Sequence, residues 1–235
     1  MQKLQRAHVA VVGIGGVGSW VVEALARSGV GELSIFDFDV ICITNINRQS
    51  HALTHTVHQT KTQALSERIQ QINPKCIVHS AFDCIGKETV AQCITQDLDI
   101  VVDCIDSVFS KSALISWCKR QKIPVVSTGG AGGKKDPTKI KIVDLNKVYN
   151  DSLISKVRSL LRRDYGFSRQ KNSHYSVPCV FSSEQLSRID LNLAERNIIN
   201  LENIPKHKPG TVITVTAGFG MAAAAKVIEK ITIED

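Results

Sequence analysis

The first chemistry in this chain sits in the run Gly13-Ile14-Gly15-Gly16-Val17-Gly18, which follows the apolar stretch His8 to Val12. A turn this rich in glycine lets backbone N–H groups approach a phosphate closely. A helix opening directly after it adds the positive end of its dipole. Asp37 closes the next apolar run, where a carboxylate can accept hydrogen bonds from ribose hydroxyls, with Asp39 beside it. This pattern points to an adenine nucleotide or a dinucleotide.

The residues that follow distinguish the two. Asn45, Arg48 and Gln49 come just after the Asp37-Phe38-Asp39 strand end, and Lys61 opens a helical stretch. Hydride transfer has no use for an Arg and a Lys converging beyond the ribose carboxylate. A triphosphate does, because its α-phosphate gains negative charge as it is attacked and cations stabilise that charge directly. Ordinary surface charge is the alternative for this pair, and an NAD-dependent oxidoreductase is the alternative for the site. Further on, Asp103-Cys104-Ile105-Asp106-Ser107 lies at the end of an apolar run. Asp103 reads as the structural end of that strand, whereas Asp106 is placed to hold Mg²⁺ or to orient phosphates.

Alternating strand and helix patterns position these groups. Strands are expected at His8–Val12, Leu33–Asp37, Cys76–His79, Ile100–Cys104 and Pro124–Ser127. Helices are expected at Ser19–Ser28, Thr60–Ile72, Glu88–Thr95 and Lys111–Arg120. This rhythm predicts an α/β fold, a Rossmann-like, doubly wound, mostly parallel sheet, with its ligand edge at the strand C-termini. Residues 1–235 read as a single domain, with 1–133 as the nucleotide-binding core and 134–235 as a C-terminal part. The glycines of Thr128–Gly133 read as a flexible hinge closing the core; in the C-terminal part Ile140–Leu145 reads as an extra strand and Asp151–Asp164 as a basic amphipathic helix. Gly166–Pro209 reads as an irregular insertion with a short helix near Ser182–Leu186, followed by a strand at Val212–Val215 and a core helix at Ala217–Lys230.

Composition sets outer limits. The chain has 235 residues, 43% of them hydrophobic, and a net charge of +7, which suits a globular protein with an anionic partner. The seven cysteines include no Cys-x-x-Cys pair, so neither a disulfide framework nor a thiolate zinc site is indicated, and a reducing, cytoplasmic setting fits. The polar start lacks the apolar core of a signal peptide, and the chain is expected to enter its first strand almost at once. Thr211–Ala225 is uncharged but too short to span a membrane, so no membrane partner is expected. His51, His55 and His58 lie close together without the carboxylate or thiolate pairing a metal site needs. Cys179 is a candidate nucleophile if a loop thiol there is activated by nearby cations, and a buried inert cysteine otherwise. Lys156, Arg158, Arg162, Arg163, Arg169 and Lys171 form a basic stretch that can contact RNA phosphates, with Tyr165, Phe167 and Tyr175 available to stack on bases. A solvated helix face is the alternative.

Together the glycine run, the Asp37-Phe38-Asp39 strand end, Asn45-x-Asn47-Arg48-Gln49, Lys61, Asn73-Pro74 and Asp103-x-x-Asp106-Ser107 resemble the E1-like adenylating superfamily of the ThiF, MoeB and HesA proteins. The phrases Asn47-Arg48-Gln49-x-His51-Ala52-Leu53, Thr128 to Gly133 with Asp136-Pro137-Thr138, and Cys179-Val180-Phe181-Ser182-x-Glu184 are similar to its tRNA threonylcarbamoyladenosine dehydratase branch, the TcdA or CsdL type. The resemblance implies that Gly13, Gly15, Gly16 and Gly18 bind phosphates, Asp37 binds ribose, Arg48 and Lys61 act on the triphosphate, and Asp106 supports Mg-ATP. Asn45 and Gln49 would assist. It implies ATP and Mg²⁺ as cofactors, tRNA as substrate, a homodimer, and a sulfur-relay protein as a further partner. The activity implied is adenylation of the carboxylate of N6-threonylcarbamoyladenosine at tRNA position 37, followed by cyclisation with loss of water. The rival within the superfamily, activation of a ubiquitin-like sulfur carrier, usually comes with paired Cys-x-x-Cys motifs, which this chain lacks. The likeness fades from Gln185 to Gly210, and the superfamily usually carries an arm before the first strand.

Overall fold

The computed structural model describes residues 2–83, 85–170, 172–185 and 210–233. Short runs of Val, Ile and Leu with no polar alternation form strands buried on both faces, as in β1 (His8–Val12), β4 (Ile100–Asp103) and β5 (Val125–Thr128). With β2 (Glu32–Phe36), β3 (Ile77–Ala81), β6 (Ile140–Asp144) and β7 (Pro178–Ser182), the described residues form a seven-stranded sheet in the order β3-β2-β1-β4-β5-β7-β6. All neighbours are parallel except β6, which runs antiparallel to β7 with Ile140 opposite Ser182.

The strand order reverses at β1, which pairs β2 on one side (Val12 with Phe36) and β4 on the other (Val12 with Asp103). Chains leaving β1 and β4 therefore diverge to opposite faces and open a crevice beyond their C-terminal ends, where ligands bind in such sheets. Helices α1 (Gln2–Arg6), α2 (Gly18–Arg27) and α3 (Lys61–Ile72) cover one face, together with the C-terminal helix described below. Helices α4 (Val90–Cys93), α5 (Val108–Gln121) and α6 (Ser152–Asp164) cover the other. Alternation along β1 feeds both layers, Val9 and Val11 into the first and Ala10 and Val12 into the second.

The structure departs from the sequence expectations in four places. The chain does not enter β1 at once: α1 precedes it, with Leu4 buried against the core. The expected strand Val212–Val215 is instead the start of α7 (Ile213–Thr232), whose Val215, Phe219, Ala223 and Val227 recur every four residues on one buried face. A short β-branched run carries no periodicity of its own, and packing of the helix's apolar face on α2 decides it. Within Gly166–Pro209, Pro178–Ser182 is a strand and not irregular chain, and residues 183–185 are not helical; Leu186 lies outside the described residues.

The glycines of Thr128–Gly133 do not form a free hinge. Gly129 N–H donates to Val180 O at 2.8 Å and Gly130 N–H to Asp151 Oδ2 at 2.9 Å. A Cβ on Gly129 would stand 2.2 Å from Asp151 Oδ2, so glycine there permits the N-terminus of α6 to dock on the sheet.

Candidate functional site

Beyond β1 the glycine turn divides its labour. Gly13 has φ +82°, donates its N–H to Phe36 O at 2.9 Å, and a Cβ there would meet Cys104 O at 3.0 Å. A Cβ on Gly18 would lie 2.0 Å from Gly13 O. These two glycines are required by the turn itself. Gly15 and Gly16 face the 45–49 segment instead: built Cβ atoms would stand 3.9 Å from Gln49 Nε2 and 3.2 Å from Arg48 Cδ. No side chain caps the N-terminus of α2, so its positive dipole end is directed at the turn.

Asp37 ties this turn to the next loop. Its buried carboxylate accepts from Ile14 N–H and Asp39 N–H, both at 2.9 Å. Lys61, only 5% exposed at the start of α3, reaches Asp37 Oδ1 at 3.4 Å and Asp39 Oδ2 at 2.5 Å. Thr60 caps α3 by accepting from Gln63 N–H, which fixes where the lysine emerges. The ammonium is thus lodged beside the residue that holds the glycine turn, with the half-exposed Asp39 on its other side.

Arg48 sits in the turn that follows a 3₁₀ segment at Ile43–Asn45. Asn45 Oδ1 accepts from Cys42 N–H at 3.1 Å and Asn45 O accepts from the N–H groups of Arg48 and Gln49, so Asn45 acts by shaping this turn. Trp20 Nε1–H donates to Arg48 O at 2.9 Å, and Ser50 is bonded twice to Ser19, fastening the segment to α2. The guanidinium passes over Gly16 and its Nη1 donates to Thr44 O and Asn47 Oδ1, both at 2.9 Å. Next to it, Gln49 Oε1 and both ring nitrogens of His51 are buried without a hydrogen-bond partner among the described residues. Burial, with Lys61 and Arg68 nearby, lowers the His51 pKa to about 4, so the ring is neutral.

On the opposite wall, Asp103 is fully buried and forms a 2.7 Å ion pair with the equally buried Lys111. Ser127 Oγ donates to the same carboxylate at 2.7 Å, and its other oxygen accepts from Ile105 N–H at 3.2 Å. Asp103 is therefore structural, as its position at the strand end implied. It sets the Cys104–Ile105 backbone against Gly13 and presents Asp106, exposed, on the loop just beyond.

Other candidates fall elsewhere. Cys179 lies on β7 and not in a loop, fully buried between β5 and β6; burial raises its thiol pKa, so it cannot serve as a ready nucleophile. In the basic stretch, Arg158 binds Leu145 O and Val148 O, and Arg162 binds Tyr175 Oη and Asn146 Oδ1. These two arginines brace the loop after β6, and Tyr175 is buried edge-on against Phe167, which removes that pair from base stacking. Lys156, Arg163 and Arg169 are exposed, Arg163 pairing with Asp164; Lys171 lies outside the described residues. His51 is buried while His55 and His58 are exposed, and the three make no metal cluster among the described residues.

Sequence reasoning missed the holders of the key cations: Thr44, Asn47 and Trp20 for Arg48, and Lys111 as partner of Asp103. Lys111 carried one legible signal, since Leu114 and Ile115 follow it at helix spacing and place it on the buried face. The arrangement fits a nucleotide. The turn presents glycines and a helix N-terminus to phosphates, two cations border it, and the orphan acceptor Gln49 Oε1 fits a ligand bearing hydroxyl donors.

Comparison with known proteins agrees with this geometry. A tRNA threonylcarbamoyladenosine dehydratase of Haemophilus influenzae is 45% identical over 233 residues, covering 98% of this chain and 88% of that protein. The solved structure of the Escherichia coli tRNA N6-threonylcarbamoyladenosine dehydratase, TcdA, in complex with ATP superposes with a TM-score of 0.87 at 42% identity, over 98% of this chain and 87% of that one. The same enzyme in complex with AMP gives a TM-score of 0.87 at 43% identity, over 98% and 88%. The ThiF family model matches residues 1–234, and on the strength of that match and the nucleotide crevice beneath it, this chain belongs to the ThiF family.

Proposed function

We propose that this protein is an ATP-dependent tRNA-modifying enzyme, a tRNA threonylcarbamoyladenosine dehydratase. It adenylates the threonine-derived carboxylate of N6-threonylcarbamoyladenosine at position 37 and closes it into a ring. The observation that carries this reading is the pair of cations at the glycine turn, Arg48 over Gly16 and Lys61 beside Asp37, in a chain related over nearly its whole length to dehydratases solved with ATP and AMP.

In the first half-reaction a carboxylate oxygen of the substrate attacks the α-phosphorus, the bond to the β-phosphate oxygen breaks and pyrophosphate leaves. Arg48 and Lys61 stabilise the charge that grows on the phosphorus-bound oxygens, an electrostatic contribution of about 3 kcal/mol for one well-placed group. In the second, the ureido nitrogen of the same side chain attacks the activated carbonyl, loses its proton, and AMP departs with the original carboxylate oxygen. The nucleoside has then lost the elements of water. The ring closure is intramolecular, so proximity replaces a protein nucleophile, consistent with a buried Cys179.

The residue roles belong to the same proposal: Gly13, Gly15, Gly16 and Gly18 shape the phosphate turn, Asp37 and Asp39 serve the ribose end, and Gln49 completes the pocket. Mg²⁺ would be held through Asp106 and would neutralise the phosphate oxygens. Among the described residues, exposed Lys156, Arg163 and Arg169 are the cations of the basic stretch left to meet tRNA phosphates. A homodimer, a sulfur-relay partner and a cytoplasmic location complete the reading; no described helix is long and apolar enough to cross a membrane.

The test is incubation with ATP, Mg²⁺ and threonylcarbamoylated tRNA, followed by nucleoside mass spectrometry. The expected product is lighter than its precursor by one water. An unchanged nucleoside, together with ATP-dependent adenylation of a sulfur-carrier C-terminus, would move the function to the rival activity.

A further inference from the structure

At the end of the sheet opposite the nucleotide crevice, three neighbouring strands bring nitrogen and carboxylate ligands to one point. His8 opens β1, Glu32 opens β2 and His79 sits in the middle of β3. The parallel register sets His8 beside Glu32 and Ser34 beside His79, and the period-2 alternation puts all four side chains on the same face. Glu32 Oε1 lies 2.7 Å from His79 Nε2 and 3.7 Å from His8 Nδ1, and one ligand atom from each of the three residues falls within 4.8 Å of the others. Asp97 Oδ2 stands 3.3 Å from the same His8 Nδ1.

We propose that His8, Glu32 and His79 form a binding site for a divalent transition metal of the zinc class, with Asp97 placed as a further oxygen ligand. The separations of 2.7, 3.3 and 3.7 Å bracket the requirement. Tetrahedral bonds of about 2.0–2.1 Å to nitrogen and oxygen put neighbouring ligand atoms roughly 3.3–3.4 Å apart. The side chains that meet at His8 Nδ1 are both carboxylates, which only accept, so that nitrogen meets them through its proton or through a bound cation, and a cation also neutralises the paired carboxylates. His8 also has the outer partner that metal-bound histidines characteristically carry: its Nε2 lies 2.8 Å from Ser34 Oγ, which leaves Nδ1 for the ion. The backbone beneath is fixed, with His8 N–H donating to Asp99 Oδ2 at 2.8 Å and Asp99 N–H returning to His8 O at 3.0 Å.

The donor set of two imidazoles and carboxylates favours Zn²⁺, Co²⁺ or Ni²⁺ over Mg²⁺ or Ca²⁺. Such an ion would clip β3, an edge strand whose five residues are all exposed or half-buried, to the two strands inside it. This site is separate from the Mg-ATP end, at the far ends of the same strands, and does not depend on the proposed activity.

The experiment is titration of chelator-treated protein with Zn²⁺ and with Co²⁺ in the absence of nucleotide, read by calorimetry, by the visible spectrum of Co²⁺ and by the melting temperature. One ion per chain is expected, with a Co²⁺ spectrum of nitrogen and oxygen ligation and a higher melting temperature when loaded. His79→Gln and Glu32→Gln should each abolish that uptake while melting like the metal-free wild type, and Ser34→Ala should weaken it by about 10-fold or more. No uptake by the wild type would overturn the proposal. So would uptake unchanged in either His79→Gln or Glu32→Gln, or a thiolate-to-cobalt band placing the ion on cysteine.

Discussion

Arg48 lies over Gly16: a single methyl group on Gly16 would stand 3.2 Å from Arg48 Cδ and 3.3 Å from its Nε. The glycine therefore makes room for the arginine side chain over the glycine turn. Arg48→Ala is expected to lower adenylation, measured as ATP–pyrophosphate exchange with modified tRNA, by about 100-fold or more, the scale for losing one charge-stabilising group. Arg48→Lys should recover little, because a point charge lacks the fork that Thr44 O and Asn47 Oδ1 hold in place. Full exchange activity in Arg48→Ala would remove the arginine from the mechanism.

His51 gives the protein a pH dependence of its own. Its pKa falls from 6.5 to about 4 on folding, so between these values the unfolded chain binds a proton that the folded chain refuses. Stability is then full above about pH 6.5 and is lost as pH falls toward 4, by about 3 kcal/mol in all. In His51→Leu the dependence of unfolding free energy on pH over this window should flatten. Denaturant melts at pH 7, 6 and 5 would detect it, and parallel curves for the variant and the wild type would refute the assignment.

Lys111 and Asp103 share a site with no solvent exposure on either side chain. Lys111→Met leaves a buried carboxylate with only Ser127 and backbone groups, and a loss of about 3–5 kcal/mol is expected. The double variant Asp103→Leu with Lys111→Met should recover much of that stability, since the uncompensated charge is gone. Because Asp103 also fixes Ile105 N–H below Gly13, the double variant should still bind ATP more weakly than the wild type. Additive losses in the two single variants and the double would mean the pair is not coupled.

Thiol chemistry separates Cys42 from Cys179. Cys42 is exposed, whereas Cys179 is buried with a raised thiol pKa. Iodoacetamide followed by peptide mass spectrometry should label Cys42 in the native protein and Cys179 only after denaturation. Cys179→Ala should keep the dehydration rate of the wild type; loss of that rate in a well-folded variant would return Cys179 to the chemistry.

Much of the site was legible before any fold was known, because glycine, aspartate and arginine at this spacing have few structural uses together. Gly13 and Gly18 announce a backbone conformation, Asp37 a strand end, and the strands before them bury both faces and so read as apolar runs. The local order strand, glycine turn, helix and strand fixes the parallel crossover and with it the nucleotide edge. That Arg48 and Lys61 belong to this edge also followed from the local chain.

Other features depended on residues far apart in sequence. That Val212–Val215 begins a helix was decided by its packing on α2, where Gly220 meets Trp20, and not by its β-branched composition. Cys179 became inert because β7 inserts between β5 and β6, a pairing no local pattern specifies. His8, Glu32 and His79 are ordinary surface-type residues in the sequence, 24 and 47 positions apart, and strand register alone brings them together. Local sequence determined backbone conformation and periodicity, because those act within one or two turns of chain. Tertiary structure decided burial, charge pairing and convergence, because each is a property of the neighbours a residue acquires when the sheet closes.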